Sequence, residues 1–383
     1  MSFLGYERPD GQVGIRNYVG IVSVMDNCNS VTRSIANAVQ EAVPVTTLFV
    51  RGQLGRDLEI AYDTIAGLAC NPNLSGVVLV GLEPVTTEEV AKRIRPSGKP
   101  LEIVNIQLCG GTIEAIAAGT RHAARMVREA SRQRRTEQPL SKLTIGVECG
   151  GSDTTSGVAS NPSIGVVADR IAEAGGRVII SETSEFFGAE HVFAERAIND
   201  QIGREFLDSI LGFEKEIMSR GLDLRGANPS KDNIRGGLTT IEEKALGAMV
   251  KAGTSPLVGV LEYGKRPEKP GLHFMATPAP AVESLTGLAS GGCQLVLFST
   301  GVGNPIGSMV GTTIKVSGNR NTVAGFADNI DFDVSPVIED GEPVSEAGTR
   351  LFHFAIEVAS GALTTSEVLD VRETAISRFE PSM

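Results

Sequence analysis

Between Cys149 and Ser156 the chain packs one thiol, two glycines, one carboxylate and four hydroxyls into "CGGSDTTS", directly after the apolar run "KLTIGV" and Glu148. Such a set can cradle an anion with backbone amides, present a reactive thiol, hold a metal ion, or simply turn the chain. Two other turns have the same character: "DNCNS" at Asp26 to Ser30 and "STGVGNPIGS" at Ser299 to Ser308. Each follows an apolar run, where an open parallel sheet gathers its ligand-binding loops and helix N-termini. None is a standard nucleotide loop. GxxxxGK[ST] is absent, and "GVGNPIG" misses GxGxxG spacing and carries Pro305 where a helix would have to begin. Cys149 would gain thiolate character if a helix N-terminus faced it; the same position suits a small buried thiol. Ser152 and Asp153 equally suit turn capping, and Ser156 with Asn161-Pro162 suits helix entry.

A second group lies in "SETSEFFGAEH", with Glu182, Glu185, Glu190 and His191 beyond the apolar strand "RVIIS". Carboxylates at a strand's carboxyl end are poorly placed for a core and well placed for acid–base work or metal ligation. His191 can also decorate the exposed face of the next helix. Lys244, in "TTIEEKALG", falls on a helix, either as a proton carrier or as a solvated partner of Glu242 or Glu243. Asp331 and Asp333 alternate in "NIDFDV", which puts both carboxylates on one face of a strand, whether for chemistry or as an exposed edge.

These residues need a scaffold. Short valine-, leucine- and isoleucine-rich runs alternate with helical patterns: strands at "NYVGIVSVM", "VTTLFV", "GVVLVGL" and "LEIVNI", and helices at Ser30 to Val43, Leu58 to Ala69, Thr87 to Ile94 and Thr112 to Ala130. Continuous apolar strands imply burial on both faces, hence parallel βαβ units. "SRQRRTEQPLSK" is the best boundary. Beyond it come "LTIGVEC", a helix from Pro162 to Ala174, "RVIIS", and a long amphipathic helix from Ala189 to Ser219. "RGANPSKDNIRGGLTT" reads as a functional loop, followed by a helix through "EEKALGAMVKAG", strands near "LVGVLEYG" and "QLVLFS", and a closing helix from Glu346 to Ser360. The expected fold is α/β, with two Rossmann-like domains, residues 1–137 and 143–383, built on mostly parallel sheets. The second carries the Cys149 and Gly301 turns.

The 383 residues carry a net charge of -11, which excludes nucleic acid as the main partner. No apolar run reaches the ~18 residues that span a bilayer, and the N-terminus has no leader pattern, so a cytoplasmic protein without a membrane partner is expected. The five cysteines, Cys28, Cys70, Cys109, Cys149 and Cys293, are odd in number and lack a CxxC pair, which provides neither a disulfide framework nor a closed zinc site. The basic stretch Arg125 to Arg135 reads as a solvated helix face or linker.

Together, "GYERPDGQVGIRN", "CGGSDTTSGVASNPSIG", "SETSEFFGAEH", "NPSKDNIRGGLTTIEEKALG" and "STGVGNPIGS" resemble the altronate and galactarate dehydratase family, which includes the sulfolactate sulfo-lyase large subunit. The resemblance runs over nearly the whole chain in order, and "STGVGN" and "IDFDVS" lean towards the sulfo-lyases. It implies elimination of water, or sulfite, from a 2-hydroxy or polyhydroxy carboxylate to give a 2-keto acid. Glu182, His191 and Lys244 are then the candidate catalytic residues, with their roles left open. Arg16, Asn17, Cys149, Gly150, Gly151, Ser152, Asp153, Ser156, Asn161, Thr300, Gly301 and Asn304 are the candidate substrate-binding residues. The resemblance also implies a divalent metal, iron or manganese, a separate small SAF-domain subunit in place of an N-terminal domain, and a homo-oligomer.

Departures from the family pattern bear on the metal. Where relatives have a histidine and Gly-Cys after the second strand this chain has "RGQLGRD", and where they have Gly-Cys-Glu after the third it has "GLEP". Cys28 is what remains of that set, with Glu83 as a further oxygen donor. Ala276 stands where relatives have an aspartate. Two readings follow: an active lyase, or a non-catalytic or regulatory relative that keeps the acid-binding turns without the metal site.

Overall fold

The computed structural model describes residues 1–222 and 228–380, so Arg225, Gly226 and Ala227, at the start of the expected functional loop, lie outside the described residues. Two parallel sheets dominate, as the apolar runs require. The smaller has four strands in the order Ala42–Val45, Tyr18–Ser23, Leu74–Gly81, Leu101–Asn105. Helices Asn29–Asn37, Gly55–Ala69, Pro84–Ile94 and Thr112–Ala130 connect and cover them. Leu74–Gly81 is buried at every position, the mark of a strand covered on both faces.

The larger sheet has seven parallel strands in the order Leu257–Leu261, Gly271–Met275, Arg177–Ile180, Thr144–Cys149, Leu295–Ser299, Thr312–Ser317, Phe332–Asp333. The chain enters at Thr144–Cys149, builds outward on one side and later on the other. The strand order therefore reverses between Thr144–Cys149 and Leu295–Ser299, which pair in register from Ile145 with Leu295 to Cys149 with Ser299. That reversal sets the Cys149 and Thr300 turns side by side at the carboxyl ends, where such sheets bind ligands.

Three expectations need correction. The strand expected over "VTTLFV" lies earlier, at Ala42–Val45, because Phe49 and Val50 take φ of 64° and 76° and cannot extend it. The preceding helix accordingly stops at Asn37. The long helix from Ala189 is two, Glu190–Ala194 and Asp200–Ser219, split where Asn199 caps the second by accepting from Ile202 N–H at 3.0 Å. Within the polar boundary stretch, Thr136–Pro139 pairs antiparallel with Ser2–Glu7. The two large sheets meet through Asn71, which donates to Ala289 and Cys293 carbonyls, and Asn73, which donates to Gln294 and Val310 carbonyls.

Candidate active site

Beyond the reversal point, the strand ends Glu148-Cys149 and Ser181-Glu182 send successive side chains to opposite faces of the sheet. On one face, Glu148 Oε2 accepts hydrogen bonds from Ser181 and Ser284, both at 2.7 Å. Its Oε1 is buried without a hydrogen-bond partner among the described residues. Burial lifts the Glu148 carboxyl well above the ordinary carboxylate range, and the nearby Glu182 charge lifts it further.

The other face holds a thiol, a carboxylate and an ammonium. Lys251 Nζ lies 2.9 Å from Glu182 Oε2 and 3.2 Å from Cys149 Sγ, while Cys149 N–H donates to Glu182 Oε2 at 3.0 Å. Burial pushes the Cys149 thiol up to about 12, with the Glu182 charge adding to the effect and Lys251 opposing it. Burial disfavours charge on Lys251, but Cys149 and Glu182 around it raise its pKa above the usual lysine value. Burial raises Glu182 as well; Lys251 opposes the shift. The result is a desolvated base held next to a fixed cation.

Local folding explains the placement. Glu182 takes a left-handed φ of 72°, a strained conformation for a residue with a side chain. Its N–H donates to Thr277 Oγ1 at 2.9 Å, and Thr183 N–H donates to Thr277 O at 2.9 Å. Phe186, whose ring packs edge-on against Phe206 and Phe274, anchors the far end of the bend. Glu185, on the same turn, pairs with Lys244 at 2.7 Å; Lys244 also donates to Asn228 Oδ1 at 2.6 Å. Thr240 caps the helix Ile241–Met249 that carries Lys244, and Lys251 follows that helix. A cavity of about 760 Å³ opens onto this bend through Thr183 and Thr277.

The glycine turn is wired internally. Asp153 Oδ1 accepts from Thr155 Oγ1 at 2.6 Å and from Ser156 N–H at 3.1 Å, and Oδ2 accepts from Asn319 at 2.7 Å. Asn233 fastens the turn by donating to Ser152 O. Gly151 O accepts from both Gly301 and Val302 N–H at 3.0 Å, and Gly150 N–H donates to Ser299 O. Among the described residues, the N–H groups of Gly151 and Ser152 have no acceptor. Thr300 Oγ1 accepts from Gly303 N–H, and Asn304 Oδ1 from Ile306 N–H. Ser156 opens a π-helical turn, and Asn161 donates to Gly247 O at the head of the next helix.

Not every candidate gathers here. His191 is exposed on the short helix Glu190–Ala194. Arg16 is buried in a pair with Glu367 at 2.7 Å and donates to Val358 and Ala362 carbonyls; Asn17 accepts from Arg8 and donates to Ala130 O. Both fasten the chain's start to later elements, away from the Cys149 turn. Asp331 accepts from Lys315 and Thr365 N–H groups, and Asp333 caps Ser335. Cys28 is fully buried in the apolar core of the small domain, and burial pushes its thiol up to about 11. Glu83 accepts from the Val85 and Thr86 N–H groups as the cap of its helix. Among the described residues no group of three or more His, Cys, Asp or Glu is placed to hold a metal ion. Cys28, enclosed in the apolar core, and Glu83, used as a helix cap, therefore do not form the expected metal site.

Lys251 and the role of Glu148 escape a reading of the sequence. The signals were there: a lysine inside the apolar "GAMVKAG", and a carboxylate ending a strand buried on both faces.

Comparison with known proteins identifies the family. The D-galactarate/altronate dehydratase C-terminal model matches residues 140–382, and the D-galactarate dehydratase/altronate hydrolase second-domain model matches residues 5–131. The chain belongs to the galactarate/altronate dehydratase family. It is 38% identical to the (2R)-sulfolactate sulfo-lyase subunit beta of Chromohalobacter salexigens, over 100% of this chain and 98% of that one. It is 32% identical to the altronate dehydratase of Bacillus subtilis and 31% identical to the galactarate dehydratase (L-threo-forming) of Escherichia coli, covering 98% and 95% of this chain and 77% and 74% of theirs. The expected family and α/β fold are both borne out. No helix among the described residues is long and apolar enough to cross a membrane.

Proposed function

We propose that the chain is the large subunit of a cytoplasmic lyase that eliminates water or sulfite from a small 2-hydroxy carboxylate, giving an enol that becomes a 2-keto acid. The observation that carries this reading is the pair of desolvated ammonium–carboxylate contacts, Lys251 with Glu182 and Lys244 with Glu185, on one bend beside the glycine turn. Elimination needs a base for the proton next to the carboxylate, stabilisation of the enediolate, and a proton for the leaving group. Glu182 takes the proton, with Lys251 fixing its position and the developing charge. The N–H groups of Gly151 and Ser152 receive the substrate carboxylate, and Lys244, oriented by Glu185, protonates a departing hydroxyl.

A separate small subunit of the SAF type completes the enzyme. Support comes from the sulfo-lyase relative, which is named as a subunit and is matched over 98% of its length. The test is keto-acid formation from a panel of sugar acids, tartrates and (2R)-sulfolactate, with sulfite release followed in parallel, by the chain alone and co-expressed with a small subunit. Keto acid from one substrate class is expected. Binding without turnover under every condition would instead establish the regulatory relative.

A further inference from the structure

We propose that the carboxyl end of the four-stranded sheet is a second ligand site, built to hold a small hydroxycarboxylate by hydrogen bonds and one guanidinium. This goes beyond the lyase reading, which puts its chemistry at the larger sheet. In the small sheet the first strand, Tyr18–Ser23, lies between Ala42–Val45 and Leu74–Gly81, so the chain's direction of travel reverses there. Open α/β sheets part their loops into a crevice at such a point. A cavity of about 340 Å³ occupies it, walled by Met25 beyond one strand and by Leu82 and Glu83 beyond the other.

The lining points to an organic ligand. Gln53 is only 5% exposed, and its Oε1 is buried without a hydrogen-bond partner among the described residues. A buried acceptor left unpaired costs about 1–3 kcal/mol, so this amide calls for a ligand O–H or N–H. Phe49, Val50 and Gly52 take left-handed φ of 64°, 76° and 81°, a strained course in the loop that brings Arg51 and Gln53 into the cavity wall. Thr86 and Gln107 add neutral polar groups to the wall. Both Glu83 oxygens accept from N–H groups, at 2.6 and 2.9 Å, and the Glu83 carboxylate feels the nearby Arg51 charge, so Arg51 is the donor the wall turns to a ligand oxygen. A carboxylate on Arg51 with a hydroxyl donating to Gln53 satisfies both groups.

The test titrates the full chain with L-malate and D-glycerate by calorimetry, in a Glu182→Gln background so that turnover does not intrude. Gln53→Leu should weaken one binding event roughly tenfold or more, the loss expected for one buried hydrogen bond. Gln53→Glu, of the same size, should abolish that event by repelling the anion, and covers the case in which Gln53→Leu fails to fold. These losses stand whether or not the wild-type chain forms a keto acid, which separates this site from the lyase reading. Identical isotherms for the Gln53 variants and their parent would overturn the proposal, as would stoichiometric Mn²⁺ binding that Cys28→Ser abolishes.

Discussion

Lys251 Nζ sits 2.9 Å from Glu182 where the two side chains are 0% and 2% exposed. A buried ion pair adds little over well-packed apolar residues of similar volume, yet removing one partner costs about 3–5 kcal/mol because the other charge is stranded. Lys251→Met and Glu182→Gln should therefore each lower the melting temperature sharply. The double variant should melt above either single one, because it removes both charges together. Thermal denaturation of the four proteins checks this; additive losses would mean that the two groups are not a coupled pair.

Activity should separate Glu182 from its surroundings. A positioned base contributes about 10²–10⁴-fold, so Glu182→Gln should lower kcat by that factor in the protein that remains folded. Lys244→Met should lower kcat similarly with a smaller loss of stability, since its side chain is 11% exposed and can be resolvated. His191→Ala should change neither by more than twofold. Steady-state keto-acid assays on a substrate from the panel decide each case, and a full loss in His191→Ala would return the histidine to the mechanism.

The fold was legible wherever burial on both faces wrote an unbroken apolar run, as at Leu74–Gly81 and Leu295–Ser299. It was illegible where a polar or strained residue won locally: Asn199 breaks a helix that amphipathic periodicity carries through, and Phe49 and Val50 leave a strand that their side chains favour. The site was half visible. Glu182, Lys244 and the glycine turn announce themselves through residue type at strand ends. Lys251 does not, because the partners that make a buried lysine tolerable, Glu182 and Cys149, come from strands far away in the chain. Asp153 stayed open between a ligand contact and a turn cap, since residue type alone does not show where its oxygens point. Here its oxygens are taken by Thr155, Ser156 and Asn319.

Arg16 offers a test away from the chemistry. Its guanidinium donates twice to Glu367, at 2.7 and 2.8 Å, and joins the chain's start to its last helices. Arg16→Met strands a buried carboxylate and should cost about 3–5 kcal/mol. Substrate KM in the folded protein should stay within twofold; a selective rise in KM at unchanged melting temperature would instead make Arg16 a substrate ligand.

Gly301 approaches the Asp153 carboxyl group so closely that an added methyl would collide with it. Gly301→Ala must push that carboxylate away from Thr155, Ser156 and Asn319 or move the Thr300 turn, at a cost of about 1–3 kcal/mol. Since Gly301 N–H also holds Gly151 O, the amides of Gly151 and Ser152 shift with it. The expected result is a rise in KM that exceeds the fall in kcat. Unchanged kinetics in a stable variant would remove the glycine turn from substrate binding.

Lys315 supplies a pH signature that does not depend on turnover. Its Nζ is buried without a hydrogen-bond partner among the described residues, 5.2 Å from the centre of the Phe298 ring, and burial brings its pKa down to about 8. In the unfolded chain the group titrates near 10.5, so between pH 8 and 10.5 the unfolded state binds more protons than the folded one. Stability from this group must then rise with pH across that window, the reverse of a lysine in a salt bridge. Below pH 8 both states are protonated and the full penalty of burying the charge remains. Lys315→Met, close in volume and uncharged, should therefore melt above wild type at pH 7, and the gap should narrow steadily towards pH 10. Melting curves for both proteins at half-unit intervals measure this directly. A gap that is constant with pH would mean that Lys315 keeps its proton in the folded state across the whole window.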